Sequence, residues 1–416
     1  MAIIKPFKGL RPPKEIVEQV SCLPYDVMNS KEAAKMADGK EASLLRITRA
    51  EIEFEEGTDS HDEKVYLHAK SNFEAFQKNK FLIQDSEAKY YIYAQTMNGN
   101  TQYGIVGAAS CQDYIDGNIK KHELTRPDKE EDRKVLSRIL EANIEPVFFT
   151  YRSVPEIDTI VSDIVTNNTP EYDFTAEDGF GHHFWVVEDP KTNNKLEELF
   201  EEKVPCTYVA DGHHRTAAAA GMSTEFKKKN PNHTGDEAYN FFMAVHFPDT
   251  QLQIIDYNRV VKDLNVLTPK DFLEKIDENF IVNQVSESIV KPEKLHDFSM
   301  YLDGKWYGLT AKDSTFDDNS PLDSLDVSVL SKYILEPILN IKDLRTDTRI
   351  DFVGGIRGLG ELSKRVDTGE MAVAFALYPV SMNQLMNIAD TGNIMPPKVT
   401  WFEPKLRSGL VINKID

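Results

Sequence analysis

The chain has 416 residues, of which 41% are hydrophobic and 28% charged, proportions typical of a globular protein with enough apolar material for two or three domains. Its 68 acidic and 48 basic residues give a formal net charge of −20, which argues against non-specific duplex binding because such binding needs a basic surface. The three cysteines (Cys22, Cys111 and Cys206) are widely spaced, and no apolar run approaches the roughly 20 residues of a membrane span. We therefore expect a cytoplasmic protein with no membrane or nucleic-acid partner.

The first 150 residues are expected to form an N-terminal α/β domain. Ser30 can cap a helix over about 31–38, and the apolar run 44–47 predicts a short strand that carries Arg46. Apolar residues on a helical period predict a helix over 62–80. Two alternating runs, 90–96 and 102–109, flank Met97-Asn98-Gly99-Asn100 and predict a β-hairpin.

A charged cluster follows the hairpin and contains Lys121-His122-Glu123-Leu124-Thr125. Thr125 is placed to cap a helix whose first turn holds Pro127, and Lys129 and Arg133 share one face of that helix because they are four residues apart. One interpretation is a solvated helix surface with ion pairs. The other is an acid/base pair, His122 and Glu123, just before a helix start.

The rest of the chain alternates strands and helices. In chain order the patterns predict a strand at 146–151, a helix at 155–168, a strand at 179–187, a helix at 197–203, a strand at 239–247, a helix at 269–278, a hairpin over 299–309, a helix at 325–336, a strand at 371–378 and an extended tail at 394–405. We expect an α+β fold of mixed sheets with flanking helices. Its expected domains are 1–150, 151–264 and 265–416.

One short stretch concentrates the chemistry: Asp211-Gly212-His213-His214-Arg215, between a β-branched and aromatic run and four alanines. The run predicts a buried strand and the alanines predict a helix, so Gly212 lies at a sharp strand-to-helix turn. Free backbone N–H groups and the positive end of the helix dipole suit a phosphate there. Two imidazoles, a guanidinium and a carboxylate on the same turn could bind an anion and move a proton beside it.

Taken together, these segments resemble the bacterial and archaeal "domain of unknown function 1015" family over nearly the whole chain. The motifs that carry the resemblance are Pro6-Phe7-Lys8-Gly9-Leu10-Arg11-Pro12, Pro24-Tyr25-Asp26-Val27, Lys121-His122-Glu123-Leu124-Thr125 with Asp132-Arg133, Asp211-Gly212-His213-His214-Arg215, and Met395-Pro396-Pro397-Lys398. Lys8 stands where arginine is common, and Val399-Thr400-Trp401 replaces the usual Ser-Thr-Tyr or Ser-Thr-Phe run.

The strand–turn–helix unit at 207–220 also resembles the phosphate-binding turn of the ParB/sulfiredoxin superfamily, which includes nucleotide-dependent kinases of free L-serine. Sulfiredoxin-type chemistry needs a cysteine on the turn, where this chain has His213 or His214, and ParB-type DNA binding needs a basic reader. The resemblance therefore implies phosphoryl transfer from ATP or ADP, with Mg²⁺, to a small hydroxyl substrate, expected to be free serine.

The roles that follow are expectations of this kinase interpretation. Phosphate or nucleotide would be held by Gly212, His213, His214, Arg215, Arg126, Lys129 and Arg133. Asp211, Glu123 and His122 are the catalytic candidates; Asp211 or Glu123 would take the hydroxyl proton or hold Mg²⁺. Arg46 or Lys398 would bind the substrate carboxylate.

Two other classes remain open. A phosphohydrolase or nuclease would use the same turn with water as the nucleophile, and a non-catalytic regulator would only bind nucleotide there. The sequence leaves open the acceptor, the choice between ATP and ADP, the identity of the base and whether the protein is a homodimer.

Overall fold

The computed structural model describes residues 1–415, which form two compact units. Unit 1 comprises residues 1–252 together with the C-terminal segment 404–416, and unit 2 comprises residues 253–403. The last residue is outside the described part.

Unit 1 contains twelve strands before residue 253 in the described chain, several of them only two residues long. They are β1 (Ile4–Lys5), β2 (Gly9–Arg11), β3 (Ile83–Gln84), β4 (Tyr91–Met97), β5 (Asn100–Ser110), β6 (Ile119–Lys120), β7 (Ala142–Asn143), β8 (Val147–Tyr151), β9 (Tyr172–Thr175), β10 (Gly181–Val186), β11 (Thr207–Asp211) and β12 (Phe241–Pro248).

Nine α-helices of unit 1 lie before residue 253 in the described chain, and five of them have 13 or more residues. In order they are α1 (Val17–Val20), α2 (Ser30–Ala37), α3 (Leu45–Thr48), α4 (Glu63–Lys78), α5 (Cys111–Ile115), α6 (Pro127–Leu140), α7 (Pro155–Asn167), α8 (Pro190–Lys203) and α9 (His213–Lys229).

The central sheet of unit 1 has nine strands in the order β6-β11-β8-β12-β5-β4-β10-β9, with β1 paired to β5. It is a mixed sheet, since β6 runs parallel to β11 and β12 parallel to β8, whereas β8 and β11 are antiparallel. All five residues of β8 are buried, as expected for a strand covered on both faces. The small side chains of Ala219 and Ala220 let α9 pack closely on Phe149 and Val209.

Unit 2 is built on a six-stranded antiparallel sheet. The strands of unit 2 are β13 (Ile254–Ile255), β14 (Tyr257–Val261), β15 (Phe280–Ser286), β16 (Asp297–Leu302), β17 (Lys305–Ala311), β18 (Ile350–Gly354), β19 (Val373–Leu377) and β20 (Trp401–Phe402). The six-stranded sheet has the order β15-β17-β16-β19-β14-β18, and β13 and β20 form a separate two-stranded sheet. Its helices are α10 (Pro269–Ile276), α11 (Asp326–Leu330), α12 (Gly360–Asp367) and α13 (Met382–Asp390), and a π-helix, Ser331–Leu335, continues α11.

The chain then returns to unit 1 with β21 (Ile412–Lys414). This strand pairs with β2 and β7, which completes a four-stranded sheet of order β3-β2-β21-β7. The C-terminal segment is therefore an integral part of unit 1.

The structure confirms the α+β class and both predicted hairpins. Asn98 and Gly99 both have positive φ (51° and 80°) between β4 and β5, which is the backbone that a two-residue type I′ turn requires. The second hairpin joins β16 and β17 at Asp303 and Gly304.

Three local predictions were wrong. Residues 45–47 belong to a helical turn, α3, with Leu44 as its N-cap, because Leu44, Ile47 and Ala50 recur on a helical spacing and are buried together. The cap of α2 is Asn29, whose side chain accepts the N–H groups of Lys31 and Glu32. Helix α6 starts at Pro127 with Arg126 as its N-cap, and Thr125 instead donates to Glu130.

The division into domains 1–150, 151–264 and 265–416 stays a prediction about folding units. The contacts group the chain differently, because β4 and β5 from the first range share a sheet with β9 to β12 from the second. Within residues 1–415, no helix combines the length and apolar character needed to cross a bilayer.

Candidate functional site

Two polar segments that are far apart in the sequence meet at one edge of the central sheet. β6 and β11 are adjacent and parallel, with Ile119 opposite Thr207 and Lys120 opposite Tyr208. The carboxyl ends of parallel neighbours emerge at the same edge, so the segment after β6 and the turn after β11 lie side by side. The first segment holds His122 and Glu123; the second is Asp211 to Arg215.

The turn after β11 has the geometry that only glycine tolerates well. Gly212 has φ 94° and is the N-cap of α9, and a Cβ on it would lie 3.1 Å from Nε and Nη2 of Arg215. Its N–H donates to Oδ1 of Asp211 over 3.0 Å. The first N–H groups of α9 have no partner within the helix, so the turn presents donors and a positive dipole end to an anion.

Two buried histidines and a glutamate form what we call the histidine cluster: His122, Glu123 and His213. The rings of His122 and His213 meet edge to face with centroids 4.6 Å apart, and both side chains are buried. Nδ1 of His213 lies 4.0 Å from Oε2 of Glu123. Nε2 of His213 is buried and has no hydrogen-bond partner among the described residues, so it is available to a ligand.

Burial sets the charge state of these imidazoles. It lowers the pKa of His122 to about 4, although Asp211 and a hydrogen bond to the Val209 main chain oppose this shift. Burial, together with the neighbouring His122, lowers the pKa of His213 well below its ordinary value. Both rings are therefore neutral at neutral pH, so they can exchange hydrogen bonds with phosphate or hydroxyl groups but contribute no fixed positive charge.

Asp211 is paired with cations. Its Oδ2 lies 3.5 Å from Nζ of Lys405 and 3.8 Å from Nη2 of Arg215. Burial would raise the pKa of Asp211, but the charges of Lys405 and Arg215 outweigh it and hold the pKa below its ordinary value. An ionised carboxylate with a low pKa is a weak proton acceptor, and it suits a charge-balancing or metal-binding role better than that of a general base.

A buried charge network, which comprises Tyr25, Asp132, Arg133, Glu145 and Arg215, supports the turn. Nη1 of Arg215 donates to the Pro146 carbonyl, and Oε2 of Glu145 lies 3.5 Å from Nη1 of Arg133. The Arg133 guanidinium stacks 3.8 Å from the centroid of Tyr25, whose N–H donates to Glu145 over 3.0 Å. Asp132 accepts from Nη2 of Arg133 over 2.7 Å. The partners of the Arg133 guanidinium are therefore all buried residues.

The start of α6 lies beside His214. The N–H of Arg126 donates to Nδ1 of His214 over 3.3 Å, and α6 packs along α9. The Arg126 guanidinium is 2.8 Å from Asp128 and its side chain is 70% exposed, so it can move. Lys129, half-buried in the first turn of α6, has no ion-pair partner among residues 1–415.

The two predicted substrate-carboxylate ligands lie in other settings. The Arg46 guanidinium pairs with Glu53 and donates to the Ala37 and Lys40 carbonyls over 3.1 Å each, so none of its hydrogen bonds involves the histidine cluster or Asp211. Lys398 belongs to unit 2, where its Nζ lies 5.9 Å from the ring of Tyr257 and its carbonyl accepts from Arg259.

Five residues of this region were not among the predicted site residues: Tyr25, Asp26, Asp132, Glu145 and Lys405. Asp26 acts electrostatically on both His214 and Arg215. The motif Pro24-Tyr25-Asp26-Val27 and the lysine in the tail were visible signals, but nothing in the sequence shows which strand they approach. Glu145 carries no sequence signal beyond being a charged residue before a buried strand.

Comparison with models of known families assigns the chain to one family. The model of the family described as "Protein of unknown function (DUF1015)" matches residues 4–328. The chain belongs to this family, which confirms the resemblance seen in its motifs. No curated protein matches the chain significantly.

Several solved structures match the fold weakly. A "Free serine kinase in complex with AMP" matches with TM-score 0.35 and 12% identity, covering 74% of this chain and 91% of that chain. "SbnI with C-terminal truncation from Staphylococcus aureus" matches with TM-score 0.37 and 10% identity, over 74% and 87% of the two chains. A conserved hypothetical protein from Pyrococcus furiosus matches with TM-score 0.33 and 13% identity, over 74% and 95%. Scores this low assign neither fold nor function.

Proposed function

We propose that the protein is a nucleotide-dependent phosphotransferase that phosphorylates a small hydroxyl substrate, with free L-serine as the expected acceptor. The observation that supports it best is the meeting of the histidine cluster with the Asp211–Gly212 turn at the start of α9. Phosphoryl transfer needs donors and cations around the phosphates and one proton acceptor for the attacking hydroxyl, and this edge of the sheet offers both kinds of group.

The phosphates of ATP or ADP would bind at the N-terminus of α9. The free N–H groups of His213, His214 and Arg215 point out of the helix start, and Nε2 of His213 supplies a further buried hydrogen-bonding atom. Arg126 and Lys129 at the start of α6 add mobile positive charge beside His214. Arg215 and Arg133 act indirectly, because their guanidinium groups are bound to the interior.

Glu123 is the stronger candidate for the base that takes the hydroxyl proton. It is half-buried beside the neutral His213, whereas the charges around Asp211 lower the proton affinity of that carboxylate. The acceptor oxygen would attack the terminal phosphorus, an O–P bond would form as the bond to the leaving phosphate breaks, and Glu123 would keep the proton. His122, neutral and in contact with His213, would orient that ring.

Mg²⁺ would enter this site with the nucleotide. Within residues 1–415 there is no cluster of three or more His, Cys, Asp or Glu side chains able to hold a metal. Mg²⁺ in kinases commonly uses one or two carboxylates together with substrate phosphates, so Asp211 alone would suffice on the protein side. There the metal would neutralise charge on the phosphate oxygens.

The test is phosphate transfer from ATP and from ADP, with Mg²⁺, to a panel of free amino acids including L-serine. We expect phosphoserine from wild type, a loss of at least about 100-fold with Glu123→Gln because the base is removed, and a clear loss with His214→Ala. Glu131→Gln, which removes a carboxylate from the exposed side of α6, is the matched control and should react like wild type.

Other outcomes would assign other functions. Release of nucleotide phosphate without any amino-acid acceptor would identify a hydrolase and overturn the kinase proposal. Nucleotide binding without turnover, unchanged in Asp211→Asn and Glu123→Gln, would identify a binding protein instead.

A further inference from the structure

Lys405 reaches the turn from the C-terminal segment of unit 1. Its main chain is held in place, since its carbonyl accepts from Nε2 of Gln95 over 3.0 Å and the N–H of Arg407 donates to the Tyr93 hydroxyl over 3.2 Å. Both partners belong to β4, so the segment is pinned to the central sheet. The direction of the Lys405 side chain is therefore a feature of the fold.

The Lys405 side chain is only 13% exposed, which is unusual for a lysine, and its Nζ lies 3.5 Å from Oδ2 of Asp211. Asp211 has a second cation, Arg215, at 3.8 Å, but that guanidinium is bound to the Pro146 carbonyl under Gly212. Arg215 is thus fixed in the interior, whereas a lysine ammonium lies at the end of a flexible four-carbon stem and can exchange one partner for another.

We infer that Lys405 is a phosphate-binding residue of this site, which rests on Asp211 and moves to a phosphate oxygen when nucleotide binds. This inference rests on the proposed function. Phosphate at the start of α9 would lie beside Asp211, and a doubly or triply charged phosphate group attracts an ammonium more strongly than one carboxylate does. The shift of Lys405 would leave Asp211 free to meet the metal that accompanies the phosphates.

The experiment compares the affinities of ADP, AMP and adenosine, measured by calorimetry, for wild type, Lys405→Met and Lys405→Arg. We expect Lys405→Met to weaken ADP binding by about 10- to 100-fold, the range of one charge-assisted hydrogen bond, and to leave adenosine binding unchanged. Lys405→Arg should recover most of the ADP affinity because the charge is restored. Lys414→Met removes a lysine from the same segment at β21 and should bind ADP like wild type.

The three ligands separate a phosphate contact from a structural role. If Lys405 only neutralises Asp211, Lys405→Met will cost no ADP affinity in an Asp211→Asn chain, because no carboxylate is left to repel the phosphates, and the inference fails while the proposed function stands. A wild-type chain that binds none of the three would instead overturn the proposed function itself. Thermal unfolding of each variant checks folding, and the Asp211→Asn/Lys405→Met double variant, compared with Asp211→Asn alone, decides the matter if Lys405→Met does not fold.

Discussion

The histidines of unit 1 show how the position of a residue in the fold determines its pKa and its hydrogen-bond partners. His122, His182 and His246 are each buried to 1% exposure or less, and burial lowers their pKa values to about 4, 3 and 4. His182 and His183 are adjacent in β10 and face opposite ways as their sequence predicts: His182 contacts the Tyr93 hydroxyl inside, and His183 pairs with Asp173. Only His122 among the three buried rings touches the candidate site.

These buried rings predict a pH dependence of stability. In the unfolded chain a histidine takes up a proton below about pH 6.5, whereas the folded rings stay neutral down to about pH 4. Between pH 6.5 and 4 the unfolded state binds more protons than the folded state. The free energy of unfolding is therefore highest above pH 6.5 and decreases as the pH drops towards 4. One such histidine accounts for about 2 kcal/mol lost between pH 6.5 and 5.

Urea unfolding of wild type and His246→Gln at pH 7 and 5 measures this effect. His246 lies in β12, and its ring contacts Phe149 and Phe200. Its replacement should reduce the pH dependence by about 2 kcal/mol. Equal slopes in the two proteins would contradict the assignment of a neutral buried ring.

At the scale of the element, the site depends on one strand, one turn and one helix. β11 ends at Asp211, Gly212 turns the chain with φ 94°, and α9 starts at once with His213. The alanines that follow are all buried, which brings the helix close to the sheet and fixes the direction of its first N–H groups. The strand–turn–helix unit was predicted from the sequence; its likeness to the ParB/sulfiredoxin turn stays a prediction.

Two glycines of this unit should respond oppositely to alanine. Gly212→Ala forces a Cβ into a left-handed backbone position 3.1 Å from the Arg215 guanidinium, and should destabilise the protein by about 1–2 kcal/mol. Gly221→Ala, inside the same helix and 3.6 Å from the nearest side chain, should stabilise it by about 0.5–1 kcal/mol. Urea midpoints of the two variants test this, and a shift in the same direction for both would contradict the strained-turn argument.

At the scale of the molecule, unit 1 is completed by the last residues of the chain. The segment 404–416 buries Leu406, Leu410, Val411 and Ile412, and β21 joins β2 to β7. It also carries Lys405 and Arg407, which contact Asp211 and Asp178 respectively. Unit 1 is therefore closed only after unit 2 has been synthesised.

This dependence gives a test of the architecture. A chain ending at Glu403 should lose the cooperative thermal transition of unit 1, because several buried apolar side chains, each worth about 1.5–3 kcal/mol, are removed with β21. Calorimetry of the truncated and full-length chains measures it. Addition of a peptide of residues 404–416 should restore part of the transition. A truncated chain with an unchanged melting profile would show that the segment is dispensable.

Local sequence patterns account for most of the secondary structure and for the chemistry of the turn. Hydrophobic period, turn residues and helix formers predicted the α+β class, both hairpins and the Asp211–Gly212–α9 unit, because these depend on neighbours along the chain. The same local patterns failed at residues 44–47, because a run of four residues is too short to distinguish the period of a strand from that of a helix.

Which charged residues meet depends on the packing of segments that are distant in the sequence. The parallel pairing of β6 with β11 places His122 and Glu123 beside His213, and the return of the C-terminal segment places Lys405 on Asp211. The structure also shows that Arg133 is bound to the buried Asp132 and that Arg46 is paired with Glu53. Strand order and parallel pairing depend on packing between residues distant in the chain, and no local pattern encodes that information.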